Sequence, residues 1–164
     1  MNREIRQRSD LIDGRSEFAA ALRLALTSAV QTRAHELCLI DPDFETWPLD
    51  DAAVLGALTA WARLPKRRML MMAARFDELP RRYPRFVAWR RTWAHVVECR
   101  TTTVDASQIP TLVLAGARSL QLADRLAWRG HWLADDSEVA EWREVVDVLM
   151  QRSEADFPAN TLGI

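Results

Sequence analysis

The run Glu36-Leu37-Cys38-Leu39-Ile40-Asp41, stopped by Pro42, constrains the fold more than any other segment of this chain. Its apolar residues are consecutive rather than alternating, so neither side of a strand built from them would suit water. Such a strand belongs inside a sheet with helices on both faces. The neighbouring segments supply those helices. Phe18, Leu22, Leu24, Ala25, Ala29 and Val30 recur at helical spacing through about Arg33, with Ser16 as the expected cap. After a loop through Trp47, Val54, Leu55, Leu58 and Trp61-Ala62 make a second helix, capped by Asp50 and ended by Pro65.

Further on, Arg68 to Ala73 reads as a strand and Phe76 to Arg82 as a helical turn. Pro84 sits near the start of a helix with Phe86, Trp89 and Trp93 on one stripe. Val96 to Cys99 is another strand, followed by a polar loop over Thr101 to Asp105. Thr111 to Leu114 and Ser119 to Leu122 read as a hairpin around Gly116, and Trp128 to Leu133 as an edge strand. Asp135, Asp136 and Ser137 open a last helix whose core face is Val139, Trp142, Val145, Val146 and Leu149. The pattern predicts one α/β domain over 10–164, a mixed sheet with helices on both faces, behind a flexible lead-in over 1–9. The tail after Ser153 is expected to pack as an extended strap.

Composition narrows the function classes. The net charge of −1 gives no whole-molecule reason to expect nucleic acid. Apolar runs such as Leu70 to Ala74 are too short to span a membrane, and the charged N-terminus lacks the apolar core of a signal peptide. No membrane association and a cytoplasmic location are therefore expected. Cys38 and Cys99 read as buried free thiols. No Cys/His spacing suits zinc, no glycine loop suits phosphates, and no metal or cofactor is expected.

The segment Gln108-Ile109-Pro110-Thr111-Leu112-Val113-Leu114-Ala115-Gly116 resembles the strand on which the phospholipase D superfamily carries its signature: His, a Lys two residues on, and an Asp five residues after that. In that register Gln108, Pro110 and Ala115 stand at the His, Lys and Asp positions. Phosphodiester cleavage there needs an imidazole nucleophile and a cation on the phosphoryl oxygens, and none of the three substitutes supplies either. Lys66 is the only lysine, and none of His35, His95 and His131 has a Lys two positions later. Leu11 to Arg15, Glu36 to Asp41, and Trp142 to Glu144 running on through Gln151 to Asp156 to Leu162-Gly163-Ile164 extend the likeness from about Asp10 to the end. Together they resemble an uncharacterised bacterial family of degenerate phospholipase D-like half-domains. The resemblance implies a half-domain fold with a lost site: no catalytic residues, and a non-catalytic interaction or regulatory module. Because active relatives build one site from two halves, it also implies self-association or a protein partner.

Charge and aromatic patterning suggest other roles. Arg63 to Arg100 holds eleven Arg and Lys against three acids, and Leu133 to the end holds eight acids against two Arg. The basic centre could bind nucleic acid or a phosphorylated ligand, with Arg85, Trp89, Arg90 and Arg91 as a basic, aromatic surface. Alternatively the basic centre and the acidic last helix face each other, within one subunit or across a dimer. Ligands of open α/β sheets bind at the C-terminal ends of the strands, which would collect Asp41, Asp43, Arg75 and Arg100. These four are candidates for a small-ligand site or a relocated catalytic site, or else helix caps and a structural ion pair.

Overall fold

The computed structural model describes residues 10–158, so the expected lead-in over 1–9 and the end of the tail lie outside the described residues. Eight strands form one mixed sheet: β1 (Leu11–Asp13), β2 (Glu36–Ile40), β3 (Arg68–Ala73), β4 (Val97–Thr102), β5 (Thr111–Leu114), β6 (Leu120–Asp124), β7 (Arg129–Trp132) and β8 (Ser153–Ala155). Their spatial order is β1-β7-β6-β5-β2-β3-β4-β8. β2, β3 and β4 are parallel, and every other pairing is antiparallel. The helices are α1 (Arg15–Gln31), α2 (Ala52–Ala62), α3 (Leu79–Arg82), α4 (Pro84–Thr92) and α5 (Asp136–Gln151).

The continuous apolar run of β2 has the expected cause. Leu37 and Leu39 join the larger core under α1, α2 and α4, with Phe18, Leu22, Leu58, Trp61 and Phe86. Cys38 and Ile40 point the other way, into a smaller core with Met72, Leu112 and Leu114, closed by Val146 and Leu149 of α5. Each fully buried Leu or Ile contributes about 1.5–3 kcal/mol of transfer free energy, so β2 holds both layers together.

Several boundaries differ from the sequence reading. Ser16 does not cap α1; the helix starts at Arg15 behind Gly14, whose φ of 104° suits glycine. Asp51, not Asp50, caps α2, by accepting from the backbone N–H of Ala53 and Val54. Asp50 instead reaches across the chain to the N–H groups of Arg85 and Phe86 at the start of α4. Thr101 and Thr102 belong to β4 rather than to a loop, because β8 pairs with Arg100 to Thr102. The start of the expected strap, Ser153–Ala155, is thus a strand. β7 is an inner strand, since β1 lies outside it. On α5 only Val146 and Leu149 are buried, while Val145 is exposed.

Candidate functional site

The C-terminal ends of β2 and β3 bring together three of the four ligand candidates. Asp41 follows β2 directly and is fully buried. Arg125, from the β6–β7 connection, grips it with Nε to Oδ1 at 3.1 Å and Nη2 to Oδ2 at 3.1 Å. Thr111 Oγ1 donates to Oδ1 at 2.5 Å, and the N–H groups of Asp43 and Phe44 donate to Oδ2. Arg125 also donates to Asp43, and Arg75 lies 3.8 Å from Asp43 and 3.9 Å from Glu45. The Tyr83 hydroxyl donates to the carbonyls of Phe44 and Glu45, pinning the same loop. Burial works against the Arg125 cation, but the two carboxylates outweigh it and raise its pKa. Every acceptor of Asp41 is used within the fold, so this edge reads as a closed structural ion network.

Arg100 does not join it. Its guanidinium is tied along the sheet edge, to Ser153 Oγ at 2.7 Å, Ser153 O at 2.9 Å and Glu98 Oε1 at 3.0 Å. The basic, aromatic surface is also divided by the fold: Arg85 and Arg91 are exposed, whereas Trp89 and Arg90 are buried. Arg90 lies four residues after Phe86, so helical geometry turns it onto the stripe that faces the sheet. Trp89 is stacked on Phe86 at 5.7 Å and its Nε1 donates to Thr59 Oγ1 at 3.1 Å, so the buried ring offers no free face for stacking on a base. Trp47 is likewise a core residue, packed edge-on against Phe18 and Phe44.

In the register proposed for the lost signature, Gln108 is exposed just before β5 and Ala115 is buried just after it. A whole strand separates them. His131 pairs with Glu138 at 2.7 Å, and His35 Nδ1 lies 2.9 Å from Arg67 Nη1. No group of three or more His, Cys, Asp or Glu suited to a metal ion occurs among the described residues, and no described helix is long and apolar enough to cross a membrane.

The opposite edge, at the N-terminal ends of β2, β3 and β4, has a different electrostatic character. The chain enters β2 after Arg33 and His35, enters β3 through Arg63, Lys66, Arg67 and Arg68, and approaches β4 past Arg91. The register places these entrances side by side, with Glu36 opposite Arg68 and Met69 opposite Val97. None of Arg33, Arg63, Lys66, Arg67, Arg68 and Arg91 forms an ion pair among the described residues. All but Arg67 are exposed. The acidic last helix does not neutralise them. α5 covers the other face of the sheet, and its ion pairs are Arg143 with Glu36 and Glu138 with His131. The expected pairing of basic centre and acidic helix within one subunit is therefore not made among the described residues.

Two hollows open at this edge. The larger, about 950 Å³, has Met69, Val97, Val146 and Met150 in its walls and the Arg90 guanidinium at its side. Nε and Nη1 of Arg90 are buried without a partner among the described residues. The smaller, about 720 Å³, is bounded by Arg33, His35, Lys66 and Arg67 and by the β5–β6 turn at Gly116 and Ala117. No acid lines it. Sequence reasoning passed over Arg33, Arg67, Thr111 and Arg125. Arg67 carried one signal, its place in the only Lys-Arg-Arg run; Thr111 and Arg125 carried none, since their partner Asp41 lies 70 and 84 residues away.

Both cysteines are buried and unpaired. Burial pushes the Cys38 thiol up from 9.0 to about 12 and the Cys99 thiol to about 11, with Arg143 and Arg90 opposing the shifts. Both thiols stay protonated near neutrality and should resist iodoacetamide at pH 8 until the chain is denatured. Alkylation of the folded protein at the rate of a free thiol would contradict this. Because the folded pKa values are raised, the unfolded chain loses these protons first. The contribution of the two thiols to stability should be intact below about pH 9 and be lost as pH rises through about 11 to 12, which denaturation midpoints across that range would show.

No family model and no curated protein matches the sequence. Among solved structures, the fold is similar to that of TrmBL2, described as an archaeal chromatin protein that shows a novel mode of DNA binding. The TM-score is 0.62 at 16% identity, over 89% of this chain and 53% of TrmBL2. The chain thus spans about half the length of that protein, and the likeness is one of fold.

Proposed function

We propose that this protein is a nucleic-acid-binding module that holds the phosphate backbone along the N-terminal edge of its parallel strands, on a degenerate phospholipase D-like scaffold without phosphodiesterase activity. One observation carries the reading: six cations from three adjacent strand entrances lie at one edge without a counter-ion among the described residues. Positively charged side chains clustered at one edge without ion-pair partners are the electrostatic footprint of phosphate binding. The opposite edge has cations too, but Arg75, Arg81 and Arg125 are held by carboxylates. The TrmBL2-like fold supports the same reading, because that protein binds DNA. It ranks above the protein-interaction module implied by the phospholipase D-like resemblance, because the likeness of fold is to a DNA-binding protein.

Fluorescence anisotropy with a short DNA duplex at low salt tests it. A triple variant, Arg63→Ala, Arg68→Ala and Arg91→Ala, should weaken binding by about 10²-fold or more, from three lost phosphate contacts. Removing Arg75 and Arg81 at the opposite side should change it by about twofold at most, because cations engaged by carboxylates attract phosphate weakly. Equal losses per removed cation in the two variants would overturn the assignment of the edge.

A further inference from the structure

The smaller hollow concentrates the charge of this edge. Arg67 is only 6% exposed, yet no carboxylate pairs with it among the described residues. Nη1 donates to Pro65 O at 2.8 Å and to His35 Nδ1 at 2.9 Å, and both acceptors are neutral. Its Nε is buried with no partner among the described residues. A guanidinium taken out of water without an anion is costly, and the cost is recovered when an anion arrives.

The helix ends do not account for this charge. α1 and α2 both finish here, and each C-terminus brings roughly half a negative charge. Together they offset about one of the three full charges of Arg33, Lys66 and Arg67. Because His35 Nδ1 accepts from Arg67, its proton sits on Nε2, which adds a further donor at the rim. Arg33 and Lys66 hold φ values of 54° and 58°, where glycine would be cheaper, so two of the cations stand at turn positions that disfavour a side chain. The far wall is the Gly116–Ala117 turn, which adds nothing bulkier than a methyl group.

We infer that this hollow is a seat for a terminal phosphate monoester, the 5′-phosphate end of a nucleic-acid strand, held by Arg67 at the base with Arg33, Lys66 and His35 around it. The choice of ligand rests on the nucleic-acid reading of the same edge. A phosphodiester within a strand carries one negative charge and is flanked by sugars on both sides. A terminal monoester carries nearly two charges and protrudes, so it alone reaches a guanidinium this deeply set.

The test compares 5′-phosphorylated and 5′-hydroxyl duplexes of one sequence by anisotropy, with the full chain and with Arg67→Met and Lys66→Gly. The native protein should prefer the phosphorylated end by about tenfold, the size of one charge-assisted hydrogen bond. Arg67→Met should abolish the preference, read as the ratio of the two affinities measured on the same variant. Lys66→Gly, at an exposed position whose backbone suits glycine, should reduce the preference while raising the melting temperature. It therefore tests the seat even if Arg67→Met fails to fold. Equal affinity of the native protein for the two duplexes, or a preference undiminished in Lys66→Gly, overturns the seat and leaves backbone binding standing. If neither duplex binds, the edge reading fails by itself, and the seat is read with inorganic phosphate. A rise in melting temperature in the native protein that Lys66→Gly lacks would keep the seat as a phosphate site, and no rise would overturn it.

Discussion

Replacing Asp41 by Ala should destabilise the fold by about 3–5 kcal/mol, a large share of the 5–15 kcal/mol that holds a typical domain. Asp41 is fully buried and accepts from Arg125, Thr111 and the N–H groups of Asp43 and Phe44. Without it Arg125 keeps only Asp43, and Thr111 loses its acceptor inside the core. Phe44, held at a φ of 57°, loses one of the bonds that stabilise a backbone conformation unusual for a large side chain. The Arg125 side chain is about one-third exposed, so water recovers part of the loss and favours the lower end of the range. Urea denaturation measures the effect. Asp41→Asn should fall between the native protein and Asp41→Ala, because it keeps the shape and some hydrogen bonds but not the charge. A loss under about 1 kcal/mol for Asp41→Ala would mean that the network is ornamental and would reopen this edge as a ligand site.

Gly130→Ala should be the most damaging of the glycine-to-alanine changes among the described residues. A Cβ at Gly130 would lie 2.0 Å from Gln121 O and 2.7 Å from Leu122 Cα. Both are backbone atoms of the neighbouring β6, so no side chain can rotate away. The close approach occurs where the β6–β7 register shifts between Leu122 and Asp124. Relief requires the strands to separate, which also disturbs β1 on the far side of β7. A cost of about 3 kcal/mol or more is expected, at or beyond the top of the usual range for overpacking. By contrast Gly56→Ala, in the middle of α2 with open space around it, should stabilise by up to about 1 kcal/mol. Thermal melts of the two variants should move in opposite directions. A Gly130→Ala melt within a degree or two of the native protein would show that the sheet yields there.

The layered architecture was legible in the sequence because its signals are local. The runs of β2, β3 and β5 are apolar on both faces and are bounded by Pro42, Pro65 and Pro110, while the helix stripes repeat at short spacing. What sequence reasoning missed depends on distant partners. Thr101 and Thr102 look like loop residues until β8 arrives from the far end of the chain. Asp50 and Asp51 are both good caps, and only the approach of α4 decides which helix each serves. Arg90 was the avoidable miss, since Phe86 and Trp89 already define the buried stripe on which it falls. The site followed the same logic. The excess of cations between Arg63 and Arg100 is visible in the sequence, but which of them find carboxylates is a property of the fold. The structure neutralises the expected ligand edge at Asp41 and Asp43 and leaves the opposite edge charged.

The central claim, that this charged edge holds a nucleic-acid backbone, is tested most directly by the salt dependence of duplex DNA binding by the unmodified protein. Engagement of about five phosphates predicts a slope near −4.5 in a plot of log affinity against log salt, a loss of several hundredfold between about 50 and 200 mM. Absence of binding at the lowest salt, or binding with a slope near zero, would contradict it.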